Sequence, residues 1–507
     1  MKTEYKTLAH IRHQVFEEVA RIAYNGNDFS QIESLPYKII PGEVATYRDS
    51  IFLERAIIGE RIRLAMGLSL RPVAMPEPIS KDIEEALIAE KYYEPPLINV
   101  IKFACNACKT KGYEVSNGCQ GCLAHPCIEV CPKNCISFVN GKAFIDQDKC
   151  IKCGLCHQAC PYGAILKHER PCALACGMDA IGSDEFNRAD IDYDKCVSCG
   201  MCLVNCPFGA IADKSQIVQL IQAINSNHEV IAVVAPSFEG QFGRNITFGA
   251  FKQAMRQSGF ADVVEVAIGA DLCTIEEAED FLHKVPSSQP FMATSCCPSW
   301  SMMAKKQFPE FEGYISMALT PMVLTARLVR ESHPDAKIVF VGPCSAKKLE
   351  ASRKSVRSEV DFVITFEELA GMFSAKDIDI TKIDDATGLD NSATRDGRGF
   401  AVGGGVANAV ANLIKKKNPE MDVKIKSADG LRECNQMLKD AKKGLYDGYL
   451  LEGMGCPGGC VAGAGCYSNS RMSALAVKKA AGASQLKTSD ESIYSDYLYL
   501  LSGNEKK

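Results

Sequence analysis

Between Cys105 and Cys206 the chain carries seventeen cysteines, most of them in C-x-x-C groups, and whatever binds those thiols decides what the segment can fold into. Disulfides would be expected in a small secreted protein. Here the chain is 507 residues long and its thiols recur at ligand spacing, so metal ligation is the better account. The stretch also contains an internal repeat. CIKCGLCHQACPYGAI at 150 to 165 matches CVSCGMCLVNCPFGAI at 196 to 211, and upstream PCIEVCPKNCI at 126 to 136 matches the looser PCALACGMDAI at 171 to 181. C-x-x-C-x-x-C wraps one segment around a cubane so that three thiolates reach three irons, and the fourth Cys, placed before Pro, serves the neighbouring cluster.

The segment resembles two bacterial ferredoxin units in tandem. The crossover rule groups Cys119, Cys122 and Cys127 with Cys160, then Cys150, Cys153 and Cys156 with Cys131, then Cys196, Cys199 and Cys202 with Cys176. Cys172 and Cys206 lack two partners, and Cys105 with Cys108 is the local C-x-x-C that remains. Four 4Fe-4S clusters result, leaving Cys135 as a bystander, since its repeat counterpart is Ala180. Zinc is the rival ligand for Cys105, Cys108, Cys119 and Cys122. Clusters strung along a chain are wiring for electrons, which implies a redox partner at one end and a reaction centre at the other.

Size and charge bound the rest. A chain of this length, 47% hydrophobic, divides into about three domains. A net charge of -5 leaves no basic surplus for nucleic acid or an anionic membrane. The opening residues mix charges into apolar positions, unlike an export signal, and no run approaches membrane-spanning length, so the expected location is cytoplasmic. Residues 1–97 contain no cysteine and read as a helical region, with Ile11, Val15, Phe16, Val19 and Ile22 at helical spacing. Ser80 is placed to cap a helix that Pro95-Pro96 closes. Residues 98–222 form the expected tandem ferredoxin-like α+β domain.

Residues 223–507 change texture. Short apolar runs at 230 to 236, 337 to 344 and 446 to 456 alternate with helical patterns, which predicts an α/β domain with buried, largely parallel strands and a ligand site outside their carboxyl ends. Cys296, Cys297, Cys344, Cys456 and Cys460 follow such runs. The Gly-rich GGGVANAV at 403 to 410 reads as a tight strand-to-helix turn, with a nucleotide site as its rival.

TSCCPSW at 294 to 300, GPCSAKKLE at 342 to 350 and EGMGCPGGCVAGAG at 452 to 465 resemble the three signature motifs of the FeFe hydrogenases, and the resemblance spans roughly residues 228 to 503. It implies reversible interconversion of H2 with two protons and two electrons at an H-cluster. That cofactor is a 4Fe-4S cubane bridged to a diiron unit carrying CO, cyanide and an azadithiolate. The matching ligands are Cys297, Cys344, Cys456 and Cys460, with Cys460 as the bridge. Lys347, Pro236 and Ser237 match positions that hold the cyanides, and Met454 lies against the cofactor. Cys296 matches the thiol that exchanges a proton with the diiron amine, and Glu277, Ser316, Asp280 and Lys284 match the relay behind it. Read alone, each of these acids is a solvated helix face and Lys347 a surface lysine.

The resemblance further implies an anaerobic enzyme, a ferredoxin or similar electron carrier as partner, and hydrogenase maturation proteins. A low-turnover hydrogen sensor and an iron–sulfur assembly or scaffold protein lacking the diiron unit are the alternatives. Gly342 stands where many members have Met, LTPM at 319 to 322 replaces Lys-Ser-Pro-Gln, and the third motif lacks its usual ending, features of a divergent, group B-like branch. Cys273, Cys434 and Cys466 have no assigned role; buried free thiols are expected, with Cys466 set apart. The tail from Asp490 to Gly503 resembles the segment that wraps the catalytic domain.

Overall fold

The computed structural model describes residues 7–26, 28–354, 356–388 and 392–498. Strand Val230–Val234 is apolar and buried at every position, as a central parallel strand must be. It lies in a four-stranded parallel sheet ordered Asp262–Glu265, Val230–Val234, Lys337–Gly342, Phe362–Thr365, with Ala232 opposite both Val263 and Val339. A second parallel sheet orders Met292–Ala293, Tyr449–Met454 and Lys424–Asp429. Helix Ala267–Lys284 packs against helices Pro321–Ser332 and Gly405–Lys417. The carboxyl ends of strands from both sheets therefore converge on one region.

Helix Leu8–Tyr24 buries Ile11, Val15, Phe16 and Val19, the stripe its spacing predicts, against helix Phe366–Ala375. These residues, with Ile58 and Ile62 of helix Ile51–Ala65, share one core with the four-stranded sheet. The N-terminal helices thus complete the core of the four-stranded sheet, a partnership that periodicity along one helix cannot reveal. The helix expected behind Ser80 is a single turn, Ile83–Ala86, with Asp82 as its N-cap. Ser80 bonds the Glu33 carboxylate instead, its N–H and hydroxyl both donating at 2.9 Å.

Four antiparallel strand pairs build the cysteine-rich segment. Ile98–Val100 with Ile211–Asp213 closes its two ends together. Gly112–Val115 pairs with Ile165–His168, and the hairpins Ile136–Val139/Lys142–Ile145 and Ile181–Ser183/Ala189–Ile191 follow the two PC-x-x-x-C segments at equivalent places. The sequence repeat is therefore a structural repeat. The tail reaches Leu498, which is buried, and Ser489 donates to Asp271 on helix Ala267–Lys284 at 3.0 Å; residues 499 to 503 lie outside the described residues.

Candidate functional site

The thiols of the cysteine-rich segment gather in four nests. Burial first, then a neighbouring thiol, raises the pKa of many of these cysteines, and the neighbours trace the groups. Cys127 feels Cys122 and Cys160; Cys156 feels Cys150, Cys153 and Cys131; Cys108 feels Cys105 and Cys206; Cys199 feels Cys176 and Cys196. Main-chain N–H groups point at the sulfurs. Ala189 donates to Cys105 at 3.2 Å, Ala210 to Cys206 at 3.3 Å, and Ala180 to Cys176 and Ala164 to Cys160 at 3.4 Å. Donors aimed at sulfur are the chemistry that thiolate ligands of a cluster require. Among the described residues no three metal-binding side chains are placed to hold a single ion; a cubane, with one iron per thiolate, needs a wider ring.

Cys135 sits closer to this chemistry than a bystander needs to. Its Sγ lies 3.4 Å from that of Cys131, and both line a small cavity with Cys150, Cys153 and Cys156. Burial, then Cys131, pushes its thiol up to about 12, so it stays protonated.

The second assembly of thiols lies where the two parallel sheets meet. One cavity, with about 90 Å³ of room for the centre of a water-sized sphere, is lined by Cys297, Cys344, Cys456 and Cys460 together with Cys296 and Lys347. Pro236, Ser237 and Met454 line it too. Cys297 and Cys344 are the N-caps of helices Pro298–Gln307 and Ser345–Ser352, so two positive helix ends face the site and favour thiolates or an anionic group. Gly455 donates its N–H to Cys297 Sγ at 3.3 Å. Burial and then Cys297 push Cys344 up to about 11, while Lys347 acts in the opposite direction. Gly459 needs its glycine: φ is +92°, and a Cβ would meet Gly403 N at 2.5 Å.

Two polar groups of this wall bear on what the cavity accepts. Ser237 is fully buried and its hydroxyl has no hydrogen-bond partner, an unsatisfied group at the rim of an otherwise apolar space. Lys347 pairs with Glu350 at 2.6 Å and reaches the Cys296 carbonyl at 3.4 Å. Burial opposes its charge, but Glu350, Cys344 and Cys296 outweigh it and raise the ammonium pKa. A soft-donor cavity with one charged and one orphaned donor fits a cofactor that brings iron and hydrogen-bond acceptors.

Behind Cys296 lies helix Ala267–Lys284. Burial, then Glu277 and Cys273, hold the Cys296 thiol well above its ordinary pKa, so it carries its proton. Glu277 is fully buried; Oε1 accepts the Ser295 N–H at 3.2 Å and Oε2 has no partner. Burial pushes its carboxyl up to about 8 against the Ser295 N–H and the nearby Ser316 hydroxyl, which favour the charged form. Ser316 is fixed by donating its N–H to Ala293 O at 2.7 Å. Asp280 turns towards solvent and binds Lys284 at 2.8 Å; among the described residues Ser316 makes no hydrogen bond to it.

The sequence pattern does not identify several residues of the site. Gln241 is buried and fully bonded: its amide donates to Ser237 O and Ser473 Oγ at 3.0 Å, and its oxygen accepts the N–H groups of Tyr467 and Ser468. It fixes the Ser237 loop through partners more than two hundred residues away, which no local signal marks. Glu452 accepts from Gly404 N at 2.9 Å and Ala407 N at 2.8 Å, so a carboxylate already occupies the start of helix Gly405–Lys417 and the Gly-rich run is a turn. At Gly342, a Cβ would meet the Phe340 ring at 2.5 Å, and Phe340 and Met322 both line the cavity. Cys466 donates to Val461 O at 3.2 Å and staples the third motif; Cys434 donates to Ala428 O at 3.3 Å. Cys273 lies buried one turn before Glu277.

The nest of Cys176, Cys196, Cys199 and Cys202, the inner nest, meets this cavity. Cys199 raises the pKa of Cys456 and Cys297 that of Cys199, while Ser299 Oγ reaches Val197 O at 3.4 Å. Thiol nests leading into a thiol-lined cavity at the ends of parallel strands define an iron–sulfur redox protein. Residues 228–464 match the family described as iron only hydrogenase large subunit, C-terminal domain, and residues 143–166 and 188–211 each match a 4Fe-4S binding domain. Iron hydrogenase 1 of Clostridium pasteurianum is 30% identical over 390 residues, 66% of this chain and 67% of that protein. The periplasmic Fe hydrogenase large subunit of Nitratidesulfovibrio vulgaris is 29% identical over 372 residues, 63% of this chain and 85% of the relative. The cytosolic Fe-S cluster assembly factor NAR1 of Kluyveromyces lactis is 29% identical over 149 residues, 28% of this chain and 32% of its own length. The chain belongs to the iron-only hydrogenase family. No helix among the described residues is long and apolar enough to cross a membrane.

Proposed function

We propose that this protein interconverts H2 with two protons and two electrons at an H-cluster held in the cavity between the two parallel sheets. The observation that carries the reading is the lining of that one cavity by four thiols, a fifth protonated thiol, a charged lysine and an orphaned serine hydroxyl. Cys297, Cys344, Cys456 and Cys460 are the residues that would hold the cubane, and Cys460 would also tie the diiron unit to the protein. When bound, that unit supplies an open iron position and a basic amine, the chemistry by which H2 is split or formed. Lys347, the Ser237 hydroxyl and the backbone at Pro236 would hold its cyanides, and Met454, which lines the cavity, would pack against it.

The chain's own residues then move the proton. Cys296 Sγ gives or takes it at the cofactor, and Glu277, whose pKa near 8 lies close to neutrality, passes it on with little cost in either direction. Ser316, Asp280 and a bridging water complete the path to Lys284 at the surface. The cysteines of residues 98–222 would hold four 4Fe-4S clusters, which would supply a path for electrons to a ferredoxin or similar carrier, and maturation proteins would supply the diiron unit to the domain formed by residues 223–507. A reducing compartment such as the cytoplasm suits twenty-five cysteines without a disulfide.

The resemblance to an assembly factor favours a second reading, in which the protein keeps its cubanes and has no diiron unit. Cys296 backed by a buried Glu277 supports catalysis instead, because assembly needs no proton path. The test is H2-dependent reduction of a viologen dye by anaerobically matured protein. Turnover by the parent, with loss of more than about a hundredfold in Cys296→Ala at unchanged iron content, is the expected result; a fully loaded parent that does not turn over refutes it.

A further inference from the structure

Three arginines surround one thiol nest, and two of them come from the N-terminal region. Arg170, 3% exposed, donates its whole guanidinium to main-chain carbonyls: Cys108 O from Nε at 3.2 Å and Nη2 at 3.1 Å, Gly182 O at 2.6 Å and Asn187 O at 2.7 Å. Arg61, 6% exposed on helix Ile51–Ala65, donates to Gly209 O. Arg48 bonds Ala104 O at 2.7 Å and Phe208 O at 3.0 Å, and stacks on the Phe208 ring. Four of these carbonyls, those of Ala104, Cys108, Phe208 and Gly209, lie at or beside Cys105, Cys108 and Cys206, and those of Gly182 and Asn187 belong to the neighbouring hairpin.

None of the three guanidinium groups is hydrogen-bonded to a carboxylate among the described residues; the buried Glu54 carboxylate near Arg48 is taken up by main-chain N–H groups, that of Arg48 at 2.9 Å among them. Glu367, whose charge acts on Arg61, is already engaged by Arg12, and Asp213, which lines the same small cavity as Arg61, by Lys348 at 2.9 Å. Two other buried cations are paired with acids, Arg398 with Glu265 at 2.7 Å and Lys348 with Asp213 and Glu368, while Arg63, away from the thiols, also meets main-chain carbonyls. At the nest of Cys176 and Cys196 the cations that approach, Lys306 and Arg432, are exposed and screened by solvent. A cluster gains one negative charge on reduction, so buried and uncompensated positive charge beside it favours the reduced form.

We propose that the cluster held by Cys105, Cys108, Cys172 and Cys206 is the highest-potential cluster of the wire, set there by Arg48, Arg61 and Arg170, and that supplying two of these charges is a role of the N-terminal region. The proposal rests on the reading that these cysteines ligate a 4Fe-4S cluster. Its place gives the property a use. Cys202 of the inner nest feels Cys172, so this cluster stands one step from the nest beside the catalytic cavity. A stable resting place for one electron lets a one-electron carrier serve a reaction that moves two.

The experiment is a potentiometric titration of the full-length, cluster-loaded protein followed by electron paramagnetic resonance, with Cys172→Ser to identify the signal. The first cluster signal to appear on reduction should be the one missing in Cys172→Ser. In Arg170→Gln and Arg61→Gln, the oxidised-to-reduced ratio of that cluster at the parent midpoint should rise about tenfold, about 59 mV for a one-electron couple. Arg170→Lys and Arg61→Lys, which keep the charge and lose the fork of hydrogen bonds, should stay within about threefold of the parent. Arg48→Gln, at a position less buried than Arg61 and Arg170, should shift the ratio in the same direction if the buried variants fail to fold. An unshifted midpoint in the Gln variants that fold, or a first-reduced signal that survives in Cys172→Ser, overturns the proposal. Unchanged iron in Cys172→Ser, or stoichiometric zinc in the parent, overturns the ligand assignment beneath it.

Discussion

Replacing Glu277 with Gln separates the proton path from the cofactor, because the amide keeps the shape and the hydrogen bond from Ser295 while losing the titrating proton. Burial raises the Glu277 pKa from 4.5 to about 8, which corresponds to about 5 kcal/mol of preference for the neutral acid, an upper bound for a group this buried. The sign follows from the raised value. The stability contribution is fully present below the unfolded pKa and is lost as pH rises through about 8, where the folded protein must ionise a carboxyl held away from water. Thermal unfolding of matured parent and Glu277→Gln, measured anaerobically, should nearly coincide at pH 5. At pH 9 the variant should be the more stable, by a few kcal/mol at most. H2 turnover should fall by about a hundredfold or more with cluster iron unchanged. A stability difference independent of pH would mean that Glu277 is not held neutral, and turnover near the parent rate would take it off the path.

Other substitutions probe the site piece by piece. Cys135→Ser should lose no iron, since the equivalent position of the repeat is Ala180 and needs no thiol; loss of a whole cubane would make Cys135 a ligand. Cys460→Ala should keep the N-terminal clusters and lose the diiron unit, seen as missing CO and cyanide infrared bands. Cys296→Asp should recover part of the turnover lost in Cys296→Ala, with a shifted pH profile, because it restores a titratable group of similar reach. Ser237→Ala removes a hydroxyl that has no partner in the protein, so unfolding should change by less than about 1 kcal/mol while the cyanide bands shift; unmoved bands would place that hydroxyl away from the cyanide.

Ligand chemistry was the most legible part of the chain. A cubane dictates the spacing of Cys150, Cys153 and Cys156 whatever surrounds them, and a buried parallel strand such as Val230–Val234 must be apolar throughout, so both are written locally. What depends on distant partners was not. Helix Leu8–Tyr24 displays its apolar stripe but not that the catalytic sheet covers it. Ser80 has the residue type of a cap and meets Glu33 instead. Gln241 and Glu452 hold the loop and the helix start around the cavity through side-chain bonds to main chain far along the sequence, and Arg61 reaches Gly209 across the cysteine-rich segment. At Asp280 the pattern marked a weak link, and the side chain turns to Lys284.

The central claim, that the cavity between the two sheets holds a diiron unit and not a cubane alone, is tested most directly by infrared spectroscopy of the anaerobically matured protein. Bands of iron-bound CO and cyanide, present in the parent and absent in Cys460→Ala, are the predicted result. A protein with its full complement of cubane iron and no such bands in any redox state would contradict the account and leave an iron–sulfur assembly or scaffold protein in its place.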